Sequence, residues 1–174
     1  AEEMAKPPGE RDPAIISEGQ EKYAEQKRQE LIKAAALFGV SDVRTLGYPQ
    51  PFVSRQSPEA TRQLADIIRE VRPHVMITQS PYNVGHRGRV SPVPDDHIET
   101  SVASLMAQEL AANPGHMTDA ESHKIATVLF PGVYFNRDEW DFTVDTSSLH
   151  EERVNAEAMY VSQGHTLEFA SKRV

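Results

Sequence analysis

The run "RPHVMITQ" (Arg72–Gln79) constrains the fold most. It follows a segment, Pro58–Val71, that has Ser57 as N-cap, proline at the first helical position, and Leu64, Ile67, Ile68 and Val71 on one side. Pro73 ends that helix, because proline lacks the N–H that a helix interior needs. The apolar stretch His74–Thr78 then reads as a strand covered on both faces, with His74 in a structural role. An amphipathic helix feeding directly into such a strand is the unit from which parallel sheets are built.

The rest of the chain repeats this alternation. Residues 1–19 read as a loop, since Pro7, Pro8, Gly9, Pro13 and Gly19 punctuate them. Gln20–Phe38 is rich in strong helix formers, carries Tyr23, Leu31, Ala34, Ala35 and Phe38 near one face, and meets a stop at Gly39. Asp42–Tyr48 is short and rich in β-branched and aromatic residues, as a strand is. A third helix is expected from about His97 to Ala112, where Asn113, Pro114 and Gly115 stop it. "KIATVLF", "GVYF" and "DFTVDT" read as strand material. A last helix covers roughly Leu149–Lys172, with an interruption near Gly164. The expected class is α/β with a mostly parallel sheet, in one domain spanning residues 1–174.

Composition narrows the function. The net charge of −8 argues against a broad nucleic-acid surface. The absence of cysteine removes disulfides, zinc–thiolate sites and thiol nucleophiles, so any metal must be held by His, Asp or Glu. No apolar run approaches the ~18 residues of a membrane span. The polar, acidic start "AEEMAKPPGERDP" does not read as a signal peptide, and it lacks an initiator Met, as in a trimmed or partial product. A cytoplasmic setting and a small-molecule substrate are expected, and a homo-oligomer is compatible with this composition. No nucleophile elbow, dinucleotide fingerprint or phosphate-binding loop is found.

Chemistry concentrates in Gln79–Asp96, a long loop that follows the buried strand. Ligands of open α/β sheets sit beyond the carboxyl ends of the strands, and long loops are often functional. Here lie Ser80, Tyr82, Asn83, His86, Arg87, Arg89, Asp95, Asp96 and, at once after them, His97. His97 with Asp96 is a candidate metal pair, since imidazole and carboxylate ligate zinc when thiolate is absent. The competing reading is local: Asp95 or Asp96 caps a helix, and Glu99 completes a capping-box pattern. Both can hold together. Arg87 and Arg89 suit capture of an anionic substrate or simple loop solubility. Elsewhere, His116, His123 and His150 read as solvent-exposed, and His165 as a residue at a helix break, two positions after Gln163.

Four segments, in order, resemble the PIG-L/LmbE-like family of zinc-dependent de-N-acetylases: "KRQELIKAAALFGVSDVRTLGYP", "LADIIREVRPHVMITQSP", "PDDHIETSVAS" and "VDTSSLHEERVNAEAMYVSQ". The resemblance implies a Rossmann-like three-layer α/β sandwich and hydrolysis of an acetamide by metal-activated water. "SPYN" and "SQGH" look closest to the branch of 4-oxalomesaconate hydratase, which implies addition of water to an unsaturated polycarboxylate as the alternative. An inactive or non-catalytic chain is the other alternative.

Carried onto this sequence, the resemblance makes His97 and Asp96 metal ligands, with zinc the implied cofactor. It makes His86, His165 and Asp95 candidate catalytic residues, and Arg87, Arg89, Tyr82, Asn83 and Gln163 candidate substrate contacts. The family's first histidine of this motif falls on Pro94, and its closing lysine is Arg153 or lost. The family's opening His-Pro-Asp-Asp strand has no counterpart in these residues; "GERD" (Gly9–Asp12) weakly echoes the turn that follows it.

Overall fold

A computed structural model describes residues 2–48, 57–81, 96–115, 120–132, 135 and 137–174. Its elements are α1 (Glu2–Ala5), α2 (Pro13–Ala36), α3 (Pro58–Val71), β1 (Val75–Ile77), α4 (Asp96–Ala112), β2 (Thr127–Leu129), α5 (His150–Ala158) and α6 (Leu167–Arg173), with short 3₁₀ turns between some of them. They fall into two compact units, one of Ala1–Thr45 with Val144–Val174, the other Leu46–Thr143.

In the first unit, α2 starts earlier than expected. The Asp12 carboxylate accepts from the Ala14 N–H at 2.9 Å and Pro13 occupies the first helical position, a start strong enough to carry the helix through Gly19. Its end is a Schellman motif: Gly39 takes φ 74°, and the Val40 N–H returns to the Ala35 carbonyl at 3.2 Å. The expected apolar face holds at Ala34, which is buried, and is corrected elsewhere: Tyr23, Leu31 and Phe38 are exposed, and Glu30 is buried in their stead.

Glu30 is buried because its neighbours satisfy it. The Ser162 N–H donates to it at 2.9 Å, the Ser162 hydroxyl at 2.6 Å and the Gln26 amide at 2.9 Å. The expected break in the last helix is present. Gly164 takes φ 79° after the 3₁₀ turn Val161–Gln163, and Thr166 caps α6 by accepting from the Phe169 N–H at 3.1 Å. Val154, Ala156 and Ala170 are buried where α5 and α6 pack together.

The second unit is a β1–α4–β2 crossover with α3 against α4. The strands are parallel, with Val75 opposite Thr127 and Ile77 opposite Leu129. α3 runs over the residues expected and ends at Arg72, which is left-handed at φ 52° just before Pro73; Ser57 sits at its N-cap without a side-chain cap bond. The core is Ala65, Ile68, Ala107, Ala111 and Ile125, flanked by Leu64, Met76, Leu110 and Val128. Alanine at the facing positions lets the helix backbones approach closely.

Several strand expectations need correction. β1 is not covered on both faces: Val75 is 49% and Ile77 69% exposed. Val71 of α3 is exposed as well. Residues 42–48 and 141–146 join no ladder among the described residues, because extended propensity makes a strand only where a partner offers its backbone groups. "GVYF" lies partly outside the described residues. No described helix is long and apolar enough to cross a membrane.

Candidate functional site

The crossover decides where chemistry can gather. β1 ends at Ile77 and continues into half-buried Thr78, Gln79 and Ser80, while β2 ends beside it and continues into Phe130, Pro131 and Gly132. The Thr78 N–H donates to the Leu129 carbonyl at 3.1 Å, which holds the two exits together. α4 must begin at this same end, because it leaves β1 and returns to the start of parallel β2. Asp96 and His97 form its first turn, Asp96 half-buried and His97 exposed. The helix dipole favours the acidic side chains Asp96 and Glu99 there.

The far end of α4 is held by a residue that the apolar pattern did not single out. Arg69, 3% exposed, donates to the carbonyls of Ala111 at 3.1 Å, Leu110 at 3.4 Å, Asn113 at 2.5 Å and Ala120 at 2.8 Å. Its guanidinium satisfies carbonyls that the helix terminus leaves open. His123, expected to be exposed, is instead half-buried with Nε2 2.8 Å from the Pro73 carbonyl, which ties the approach to β2 to the approach to β1. The His74 side chain is exposed, and its structural part is played by its carbonyl, which accepts from Ala126 and Thr127 N–H at 3.0 and 3.2 Å. His150 is exposed, as expected.

Tyr82, Asn83, His86, Arg87, Arg89 and Asp95 lie outside the described residues, as does His116. Gln163 and His165 belong to the first unit, where Gln163 is exposed on the 3₁₀ turn. His165 Nδ1 lies 3.2 Å from the Glu157 carbonyl and 3.4 Å from its Oε1. Phe169 packs against the imidazole at 4.7 Å between centroids, and Arg173 Nε reaches the same Glu157 oxygen at 3.0 Å. Burial, then the charges of Glu157 and Glu30, push the Tyr160 hydroxyl above its ordinary pKa.

Among the described residues, no group of three or more His, Asp and Glu side chains is placed to hold a metal. Asp96 and His97 fit a divalent metal in kind, as carboxylate and imidazole, but a catalytic zinc takes about three protein ligands.

Comparison with known proteins decides the family. Residues 5–108 match the family model described as PIG-L, GlcNAc-PI de-N-acetylase. The chain belongs to the PIG-L family. Its relatives include two proteins named 1D-myo-inositol 2-acetamido-2-deoxy-alpha-D-glucopyranoside deacetylase. The one from Thermomonospora curvata is 34% identical over 119 residues, covering 59% of this chain and 38% of the relative. The one from Streptomyces griseus subsp. griseus is 35% identical over 102 residues, covering 58% and 27%. This PIG-L chain thus spans well under half the length of either.

Solved structures share its α/β fold. The conserved protein TT1542 from Thermus thermophilus aligns with a TM-score of 0.64 at 21% identity, covering 86% of this chain and 63% of that one. The 4-carboxy-2-hydroxymuconate hydratase GalB from Pseudomonas putida KT2440 aligns at 0.61 and 21% identity, covering 85% and 59%. At this identity the likeness establishes the fold and not the chemistry.

Proposed function

We propose that this PIG-L chain serves the hydrolytic removal of an acetyl group from an N-acetylated amino sugar, with zinc as the metal. One observation carries the reading. The matched stretch 5–108 contains the exit of β1 and the first turn of α4, and the start of a crossover helix beside a strand exit is the kind of position where α/β sheets take ligands, which supports a role for Asp96 and His97. These two residues would hold the metal, with His97 offering imidazole and Asp96 ligating or orienting it. A bound metal of this kind acidifies water and polarises a carbonyl. Asp95 and His86 are proposed for proton transfer, and Tyr82, Asn83, Arg87 and Arg89 for substrate contacts, while Gln163 and His165, which the sequence also offered, belong to the first unit. A cytoplasmic setting and a single-domain organisation belong to the same proposal.

The test has two parts. Metal analysis of the purified chain should find zinc in the wild type and a clear loss in His97→Ala; equal metal in both would sink the ligand assignment. Amine release should then be measured from acetamido sugars, beside hydration of an unsaturated polycarboxylate. Turnover of the polycarboxylate alone would replace the deacetylase reading by the hydratase one, for which Arg87 and Arg89 are the sequence argument. Turnover of neither would indicate a chain that does not catalyse by itself.

A further inference from the structure

We propose that Trp140 is the stacking platform for the sugar ring, a specificity residue that rests on the amino-sugar reading above. The argument begins at the strand exits. Gly132 lies three residues beyond the end of β2, on the side of the sheet where α4 begins. The Trp140 indole Nε1 donates to the Gly132 carbonyl at 3.2 Å, so the ring is tethered to this side. The tether fixes orientation as well as place. A Cβ at position 132 would lie 2.8 Å from Nε1, 3.0 Å from Cδ1 and 3.4 Å from Cε2, all atoms of the pyrrole ring. That half of the indole therefore rests directly on the glycine. Gly132 is not among the left-handed glycines, so the space its missing side chain leaves for the indole is what distinguishes this position.

Trp140 is seated on Gly132 and is still 38% exposed. A tryptophan whose N–H is anchored and whose ring keeps part of its surface accessible can offer that surface to a flat ligand. A pyranose ring presents just such a face of C–H groups, and Trp binds it at little entropic cost because few rotors need freezing. The neighbours choose between ligand classes. Asp138, Glu139 and Asp141 flank Trp140 and are exposed, with Arg137 the one cation of the same turn, so the immediate charge is acidic on balance. Carboxylates accept hydrogen bonds from sugar hydroxyls and repel a polycarboxylate. The local charge thus favours a neutral sugar over the hydratase type of substrate.

Trp140 is the sole tryptophan of the chain, so its emission reports this position alone. The probe is methyl 2-acetamido-2-deoxy-α-glucopyranoside, titrated into the full chain with myo-inositol and acetate as controls. Binding is followed by both fluorescence and calorimetry, and activity separately by amine release. The sugar should change the emission saturably. Trp140→Ala should weaken affinity and raise KM about tenfold, with kcat nearly unchanged. Trp140→Phe should retain most of the affinity, and Gly132→Ala should shift the emission of the unliganded protein and weaken binding. Sugar binding without an emission change, or undiminished in Trp140→Ala, overturns the proposal while leaving the deacetylase reading intact. Binding through Trp140 without amine release supports the platform and defeats the deacetylase reading. Absence of sugar binding to the wild type overturns both.

Discussion

Glu30 and Glu25 occupy the same helix and respond to it differently. Glu30 is buried, and its pKa is lowered first by the Ser162 hydroxyl, then by the Ser162 N–H and Gln26, against the opposing cost of burial. Glu25 is held down to about 2 by Arg28 and then Gln29, but on an open helix face where solvent screens the pair, so its share in stability is small. A carboxyl whose folded pKa is depressed adds stability that is full above its ordinary value and is lost as pH falls through the depressed one. Ser162→Ala should therefore lower Tm by a few degrees at neutral pH and move the Glu30 titration back upward. Acid unfolding of the variant, followed by circular dichroism, should begin at higher pH than in the wild type. An unchanged acid midpoint would show that the Ser162 hydroxyl does not hold Glu30.

At the scale of elements, the crossover is held from inside by α3 and α4 and left open at β1. Arg69 carries the last turn of α4 on a planar, multidentate group that lysine cannot imitate. Arg69→Lys should cost roughly 2–3 kcal/mol in urea unfolding, since charge-assisted bonds to buried carbonyls would be left unmade. Ala107, fully buried, has no room to grow, and Ala107→Leu should cost about 1–3 kcal/mol by overpacking the α3–α4 contact. Ile77→Thr gives the contrasting result. Its side chain is already 69% exposed, so the change should stay within about 0.5 kcal/mol in the same measurement. A large loss there would mean that Ile77 is buried in solution.

For the molecule as a whole, the carboxylates point in one direction. Glu3, Glu18, Glu25, Glu30, Asp42 and Asp145 all have lowered pKa values from hydrogen bonds or ion pairs made in the folded state. The folded chain binds fewer protons than the unfolded one as pH drops toward the ordinary carboxylate range, so Tm should decline progressively below about pH 5. Added salt should change Tm little at neutral pH, because several of the described ion pairs join exposed side chains three or four residues apart within a single helix, where solvent already screens them. A Tm that is flat from neutral to acid pH would contradict this distribution of pKa shifts.

The sequence by itself determined the elements whose signals are local. Pro58 and Pro73 bounded α3, Asn113 and Pro114 closed α4, and Gly164 broke the last helix, because caps, missing N–H groups and a glycine's left-handed φ act within a few residues. The ordered family segments and the Asp96–His97 pair at the start of α4 were legible for the same reason. Only the tertiary structure decided what depends on distant partners. The stretch 42–48 has strand composition yet no ladder among the described residues, and β1 pairs with β2 but is not covered. Glu30 and Arg69 are buried because Ser162 and the end of α4 meet their hydrogen-bonding needs, and Trp140 is seated because Gly132 leaves space for it. Burial of a polar group depends on who satisfies it, and those partners lie far away along the chain.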